Sequence, residues 1–170
     1  MLLSSLSEIC IAISSGHLHS QVTEWGDAGE ERGESDYHMI NKSFDLVDKS
    51  DVDALVTNEV AEGRTLEYKE ILPSGSNDDK KEFLADVSAF ANAAGGDILY
   101  GITEKRDANG KTTGIPEAAN GLARINVDEV TRRLDSMILD GIAPRINGIR
   151  TKAIEGFASG PVLLVRIPKS

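Results

Sequence analysis

Cysteine and aromatic residues are scarce in this sequence. Cys10 is the single cysteine among 170 residues, which excludes an intrachain disulfide and any multi-cysteine metal site. Aromatic residues make up only 5% of the chain, so the core must consist mainly of aliphatic side chains and alanine. The hydrophobic content of 40% is nevertheless enough for one sizeable core, and the length suits a single domain.

Histidine is missing from most of the chain. His17, His19 and His38 are all near the N-terminus, so residues 39–170 contain no imidazole. Without that base, Ser/His or Cys/His nucleophilic catalysis is excluded in this part of the chain. Spaced histidines in a polar tail are more often incidental than metal ligands, and we assign no metal site to them.

Long hydrophobic runs are missing as well. No stretch approaches the ~20 apolar residues of a membrane-spanning helix. The N-terminal segment has no basic region, and Glu8 interrupts its apolar run, which disfavours a signal peptide. We therefore expect a cytoplasmic protein with no membrane partner.

Positive charge is in deficit, with a formal net charge of -10. Residues 1–45 contain eight of the 28 acidic and two of the 18 basic residues, which leaves 20 acidic and 16 basic residues, or -4, in residues 46–170. This balance disfavours a strong long-range attraction for nucleic acid, but it permits local basic patches.

The composition divides the chain near Met39. Residues 1–38 include a polar, glycine-rich, acidic stretch without periodicity, which predicts a disordered or non-native N-terminal extension. Met39 is then either the natural start or the point where a genuine flexible tail ends. Residues 39–170 have the composition of a folded domain.

Periodicity in this domain predicts an α+β fold. Three helices are expected, over residues 50–60, 78–94 and 127–139. Four strands are expected, over residues 65–70, 98–102, 146–154 and 162–167. After the second strand, Asn109-Gly110 predicts the turn of a hairpin-type connection over residues 104–113. The order gives a mixed sheet packed with about three helices and ending in an antiparallel strand pair.

Acidic residues gather around the first strand. Glu62, Glu67 and Glu70 form this cluster, and on a strand Glu67 shares one face with Lys69. Two neighbouring carboxylates can bind Mg²⁺ or Mn²⁺, provided that the preceding turn brings Glu62 back towards Glu67. A solvated strand edge explains the same residues, and residue types alone favour that interpretation.

A tight corner of small residues joins the second helix to the next strand. Asn92 lies in the last turn of the helix, directly before Gly95-Gly96. We expect these three residues either to bind a ligand or to cap the helix. In the first case Lys69 lies beside the corner, at the edge of a pocket for a phosphate-rich polymer.

Two sequence features bear on phosphate binding. Residues 109–112 (NGKT) resemble the end of a phosphate loop, but Lys105 replaces the first glycine of the Walker pattern and no helix follows. A nucleotide phosphate loop is therefore not predicted, and we expect no cofactor. Basic side chains on the third helix and around the last strands could instead contact phosphates. They are Arg132, Arg133, Arg145, Arg150 and Lys152.

Three motifs occur together in a specific order and spacing. They are Glu67-Tyr68-Lys69, the segment SAFANAAGG at residues 88–96, and Leu99-Tyr100-Gly101-Ile102. In these motifs the chain resembles the Schlafen AlbA-like domain, a family once filed as divergent AAA-type. The resemblance covers about residues 50–168.

The resemblance implies a nucleic-acid-binding module whose partner is DNA or RNA. Bacterial members are regarded as such modules, which suggests the N-terminal domain of a transcriptional regulator or defence protein. ATP binding, which the divergent AAA-type label suggests, is not supported by a phosphate loop here. The expected contacts are Lys69, Asn92, Gly95, Gly96, Arg132, Arg133, Arg145 and Arg150, of which the first four lie within the family motifs.

Two alternatives remain open. Animal relatives of the family include RNA endonucleases with three carboxylates, and the resemblance maps two of these onto Glu62 and Glu67. Thr103 stands at the third position, with Glu104 adjacent, and a hydroxyl is a poor replacement for a metal-binding carboxylate. A metal-dependent endoribonuclease using Mg²⁺ or Mn²⁺ is thus one alternative. The other is a protein-interaction module that uses a strand edge near residues 162–167, and homo-oligomerisation also stays open.

Overall fold

The computed structural model describes residues 40–170, so the predictions for residues 1–38 and for Met39 lie outside the described residues. Residues 40–170 form three α-helices and six strands. The helices are α1 (Lys49–Thr57), α2 (Asn77–Asn92) and α3 (Val127–Gly141). The strands are β1 (Leu66–Lys69), β2 (Gly96–Tyr100), β3 (Ile102–Arg106), β4 (Thr112–Ala119), β5 (Arg150–Ile154) and β6 (Val162–Ile167). The predicted α+β class is confirmed.

Each helix begins at a residue whose side chain accepts a hydrogen bond from a backbone amide of the first turn. The N-cap residues are Asp48, Ser76 and Asn126. Short polar side chains of this kind satisfy amides that have no partner inside the helix. Helix α2 therefore begins slightly earlier than residue 78, since Ser76 rather than an aspartate provides the cap.

Four strands form one mixed sheet in the order β1-β2-β6-β5. Strands β1 and β2 are parallel and are joined through α2, whereas β6 is antiparallel to both β2 and β5. The final antiparallel pair is therefore confirmed. Because β6 has a partner on each side, the predicted open strand edge near residues 162–167 is wrong.

Strands β3 and β4 form a separate antiparallel hairpin. Gly110 in its turn has a φ of +79°, a conformation that glycine adopts readily, so the predicted turn is confirmed. The strand predicted over residues 98–102 divides into two elements at Gly101, where φ is +96°. This bend carries the chain from the four-stranded sheet into the hairpin.

Alternating side chains of the sheet enter two hydrophobic clusters. On one face, α2 and α3 contribute Phe83, Val87 and Leu134, which share a cluster with Ile98 of β2. On the other face, Leu99 joins a cluster with residues from the segment before β1. The sheet is therefore buried on both sides, by helices on one and by the N-terminal part of the described chain on the other.

Residues 40–47, here called the N-terminal strap, lie across this second face. Ile40, Phe44 and Val47 are buried there. The Ile40 amide donates to Asp97 Oδ2 at 3.2 Å, and Arg166 donates to the carbonyl oxygen of Ile40 at 3.0 Å. An ion pair between the buried Asp97 and the partly buried Arg166 thus fixes the strap to β2 and β6.

Within residues 40–170, no helix has both the length and the apolar character needed to cross a membrane.

Candidate functional site

Lys69, at the end of β1, is surrounded by acidic side chains. Its ammonium lies 2.9 Å from Glu67 Oε1, 2.9 Å from Glu82 Oε1 and 3.5 Å from Asp86 Oδ2. Burial opposes the charged form, but the hydrogen bonds to Glu67 and Glu82 outweigh it and raise the pKa of Lys69 above its ordinary value. Burial also raises the pKa of Asp86, against the effect of Lys69. The positive charge of Lys69 is therefore already matched within the protein.

The glycine corner lies at the opposite end of the two parallel strands. Lys69 pairs in register with Tyr100, whereas Gly96 comes before the Leu66–Asp97 pair. Four residues of strand correspond to about 13 Å. The expectation that Lys69 lies beside Gly95-Gly96 is therefore wrong, because a parallel crossover places the start of β2 level with the start of β1.

The space around the two glycines is filled by the protein itself. A Cβ on Gly95 would lie 2.8 Å from the carbonyl oxygen of Ile167, and one on Gly96 would lie 2.9 Å from the Phe90 ring. Both glycines are buried, while Asn92 is exposed in the last turn of α2. The corner thus serves close packing of α2, β2 and the end of β6.

Glu62 covers the open edge of β1. Its Oε1 accepts a hydrogen bond of 2.7 Å from the Tyr68 amide, on the side of β1 that has no partner strand. Burial raises the pKa of Glu62 to about 7, and the neighbouring carboxylates of Glu67 and Glu104 add to the rise. Glu104 in turn accepts a hydrogen bond of 2.8 Å from the Gly114 amide. Glu62, which the resemblance maps to a family carboxylate together with Glu67, is therefore under the electrostatic influence of both Glu67 and Glu104.

Each of these three carboxylates already has a partner within the protein. Each has an oxygen that accepts a hydrogen bond from the protein, and the Lys69 ammonium already neutralises Glu67. No group of three or more His, Cys, Asp or Glu in residues 40–170 could hold a metal ion. Thr103, at the position of the third family carboxylate, donates its hydroxyl to the carbonyl oxygen of Ala118 at 3.1 Å.

The basic residues of the last strands hold the N-terminal strap. Arg150 makes two hydrogen bonds to the carboxylate of Asp45, and its guanidinium lies 4.3 Å from the centre of the Phe44 ring. The Arg150 hydrogen bond lowers the pKa of Asp45. Lys152 donates to the carbonyl oxygens of Asp45 and Val47. These two cations are therefore occupied by internal contacts.

The arginines of α3 and of the loop after it differ from Arg150 in their ion pairing. Arg132 and Arg145 are exposed, and Arg133 is half-buried. None of the three has a carboxylate within 4.0 Å among the described residues. Arg132 donates to the carbonyl oxygen of Asp128, which does not cancel its charge.

Two cavities lie on either side of the loop that follows β1. The smaller, of about 150 Å³, is lined by Lys69 and by three carboxylates, Asp79, Glu82 and Asp86. The larger, of about 520 Å³, is lined by residues 70–72 of the loop and by residues of three other segments. No sequence pattern predicts these cavities directly. A parallel β1-α2-β2 unit is the signal that points to this end of the strands, since ligands bind beyond their carboxyl ends.

Comparisons with known proteins agree with the motifs. The Schlafen, AlbA_2 family profile matches residues 62–170. A similar solved structure is the solution NMR structure of the N-terminal domain of an ATP-dependent DNA helicase RecG-related protein from Nitrosomonas europaea. The two chains are 24% identical, with 70% of this chain and 71% of that chain covered and a TM-score of 0.48. No curated protein matches this chain.

The family profile spans both parallel strands, the glycine corner and the two strands that complete the sheet. It thus covers the same motifs that occupy opposite ends of β1 and β2 in the structure. This chain belongs to the Schlafen, AlbA_2 family.

Proposed function

We propose that this domain is a nucleic-acid-binding module that contacts phosphates through Arg132, Arg133 and Arg145. The observation that carries this proposal is the state of the basic residues. Lys69, Arg150 and Arg166 are matched by carboxylates inside the domain, whereas these three arginines have no carboxylate partner among the described residues. Arginine without an internal partner can donate several hydrogen bonds to a phosphate.

Family membership supports the same proposal, because the resemblance of the motifs implies nucleic-acid binding. As part of it, we place the module in a bacterial transcriptional regulator or defence protein that acts in the cytoplasm.

The charge balance indicates how strongly the domain should bind and how binding should depend on salt. With a net charge of -4 over residues 46–170, attraction comes from local arginines rather than from the field of the whole domain. Affinity should therefore be moderate and should fall as salt neutralises a small number of phosphate contacts.

A salt series with a matched pair of variants tests this proposal. The test variant is Arg132→Gln/Arg145→Gln, and the control is Arg106→Gln/Lys111→Gln in the β3–β4 hairpin, which removes the same charge. Binding of labelled single-stranded and duplex oligonucleotides is measured by fluorescence anisotropy between 20 and about 200 mM salt, the range over which phosphate contacts show their salt dependence.

We expect the test variant to lose about tenfold in affinity at low salt, with the slope of log K against log salt reduced by about 2, or roughly one for each phosphate contact removed. The control should bind like the wild type. Equal losses in both variants would show that only total charge matters, and the assignment of the contacts to α3 and its following loop would be wrong. Absence of binding at 20 mM salt would contradict the function itself.

A cleavage assay with Mn²⁺, together with the binding series, separates the alternatives. A metal-dependent endoribonuclease would cleave labelled RNA when Mn²⁺ is added, and Glu67→Ala would abolish the cleavage. That outcome is not favoured, because Glu62 and Glu104 accept backbone hydrogen bonds and Glu67 is paired with Lys69. A protein-interaction module would bind neither RNA nor DNA at low salt.

A further inference from the structure

The larger cavity lies where the parallel strands end and the chain turns into the hairpin. One wall is the loop after β1, with Glu70, Ile71 and Leu72. The opposite side consists of Gly101 after β2, Gly121 after β4 and Ser159 before β6. We call this side the glycine floor. At about 520 Å³, the cavity has the size of a small-ligand site.

The glycine floor is held by backbone contacts. The Gly101 carbonyl oxygen accepts hydrogen bonds from the amides of Asn120 and Gly121, at 3.1 and 2.9 Å, and the Ser159 amide donates to the carbonyl oxygen of Asn120 at 2.8 Å. A Cβ on Gly101 would lie 2.9 Å from the Cα of Gly121. Three segments thus pack closely against one another through their backbones, which holds the residues on this side of the cavity in place.

The lining offers neutral hydrogen-bonding groups beside apolar ones. Asn120 and Ser159 supply amide and hydroxyl groups, and Leu72 and Ile125 supply apolar contact. The Thr103 hydroxyl is used internally, since it donates to the Ala118 carbonyl oxygen and accepts from Asn120 Nδ2 at 3.5 Å. Glu70 is the only charged lining residue. A phosphate would meet no cation inside and one carboxylate, so the interior selects a neutral, planar, hydrogen-bonding group. The smaller cavity, with its three carboxylates and one lysine, lacks this character.

A basic residue lies in the segment that lines one side of the cavity. Arg124 is exposed and lies in the chain between Ala123 and Ile125, both of which line the cavity. Its φ is +56°, a left-handed conformation that costs a residue with a Cβ free energy and is held by the surrounding structure. No carboxylate lies within 4.0 Å of its guanidinium in residues 40–170. The loop thus carries a positive charge without a carboxylate partner beside a cavity whose single charged lining residue is Glu70.

We infer that this cavity takes one unstacked base of a single-stranded nucleic acid, with Arg124 contacting the adjoining phosphate. The inference rests on the proposed function and deepens it, because it adds recognition of a base to recognition of phosphates. A base in a duplex is stacked and paired, so such a cavity favours single strands, loops and ends.

Oligonucleotides with and without bases test this inference. The probe is a short fluorescein-labelled oligothymidylate, compared with an oligomer of the same length in which every thymine is replaced by an abasic site. Both carry the same phosphates, so the ratio of the two Kd values reports base recognition alone. Asn120→Leu removes hydrogen-bonding groups from the cavity, and Ser159→Ala is a milder second variant on the same surface.

We expect the wild type to bind the oligothymidylate about tenfold more tightly than the abasic oligomer, as one well-made set of hydrogen bonds provides. Asn120→Leu should bring this ratio close to one while leaving abasic binding unchanged, and Ser159→Ala should lower it about threefold. Arg124→Gln should weaken both oligomers equally. Thermal unfolding of each variant confirms that it is folded.

A wild-type ratio of one with measurable binding of both oligomers would overturn the base site and leave the proposed function standing. A ratio that persists in Asn120→Leu and Ser159→Ala would place base recognition elsewhere and overturn the inference. If neither oligomer binds at 20 mM salt, both the inference and the proposed function fail.

Discussion

The two ends of the β1–β2 pair have similar small residues but opposite consequences. At the amino end, Gly95 and Gly96 are packed against Ile167 and Phe90, and no space remains. At the carboxyl end, Gly101 allows a bend, and cavities of about 150 and 520 Å³ lie beside the loop that follows β1. A glycine pair therefore marks close packing as readily as it marks a site.

The ion pairs at the two ends differ in their exposure to solvent. Asp97 at the amino end is fully buried and makes two hydrogen bonds to Arg166, of 2.7 and 2.8 Å. At the carboxyl end, Lys69 shares its charge with partners whose side chains are 26% to 66% exposed. Solvent weakens the interactions at the carboxyl end. The amino end is therefore fixed by buried contacts, whereas the ion pairs of the carboxyl end are open to solvent.

The largest loss of stability is expected when the buried carboxylate of Asp97 is removed. Asp97→Ala leaves the Arg166 guanidinium without its partner and frees the Ile40 amide. We expect a loss of about 3–5 kcal/mol in the free energy of unfolding. Urea unfolding followed by circular dichroism measures it, and a loss below about 1 kcal/mol would contradict the structural role of this end.

A methyl group at the glycine corner should also be costly. In Gly96→Ala the new Cβ would approach the Phe90 ring to 2.9 Å and the Thr65 carbonyl oxygen to 3.0 Å, so backbone or ring must shift. We expect a loss of about 1–3 kcal/mol in urea unfolding. Gly75→Ala is the matched control, since nothing lies within 4 Å of its Cβ. Equal stability of the two variants would show that the corner has spare room.

The Glu62 carboxylate gives a test through pH. Its pKa of about 7 in the folded state exceeds the ordinary value of 4.5, so its contribution to stability is complete below about pH 4.5 and is lost as pH rises through about 7. Glu62→Gln keeps an oxygen for the Tyr68 amide and removes the charge. We expect this variant to gain about 1 kcal/mol over wild type at pH 8 and nothing at pH 4.5, after allowance for partial solvent exposure. Parallel stability curves for the two proteins would refute the assigned pKa shift.

The smallest effect should come from the exposed partner of Lys69. The Glu82 side chain is 66% exposed, so Glu82→Gln removes a contact that water largely screens. We expect a change below about 0.5 kcal/mol in the free energy of unfolding, measured in urea alongside Asp97→Ala. A loss comparable to that of Asp97→Ala would mean that both ends are structural.

Local patterns predicted most of the fold, because caps, periodicity and turns act over short distances. Helix α3 and strand β6 lie close to their predicted bounds, and Asn109-Gly110 forms the expected turn. The open edge at β6 could not be judged, since strand order depends on contacts between distant segments. It was the sheet order that placed β6 between β2 and β5.

The site was less accessible to sequence reasoning. The motifs drew attention to Glu62, and burial together with the carboxylates of Glu67 and Glu104 raises its pKa. Charge counts could not show that Arg150 binds Asp45 while Arg132 has no carboxylate partner in the described chain, because partners in space are far apart in sequence. The cavity beside Gly101 needs three segments to meet, and no single stretch of sequence contains it.

The N-terminal strap and α1 have a practical consequence for anyone who expresses this domain. The family profile begins at residue 62, yet Ile40, Phe44, Val47 and Val52 cover an apolar face of the sheet. A recombinant fragment cut at the profile boundary would leave Leu99 and Leu164 uncovered, and it should precipitate or associate through that surface. Expression from residue 40 or earlier keeps the sheet covered.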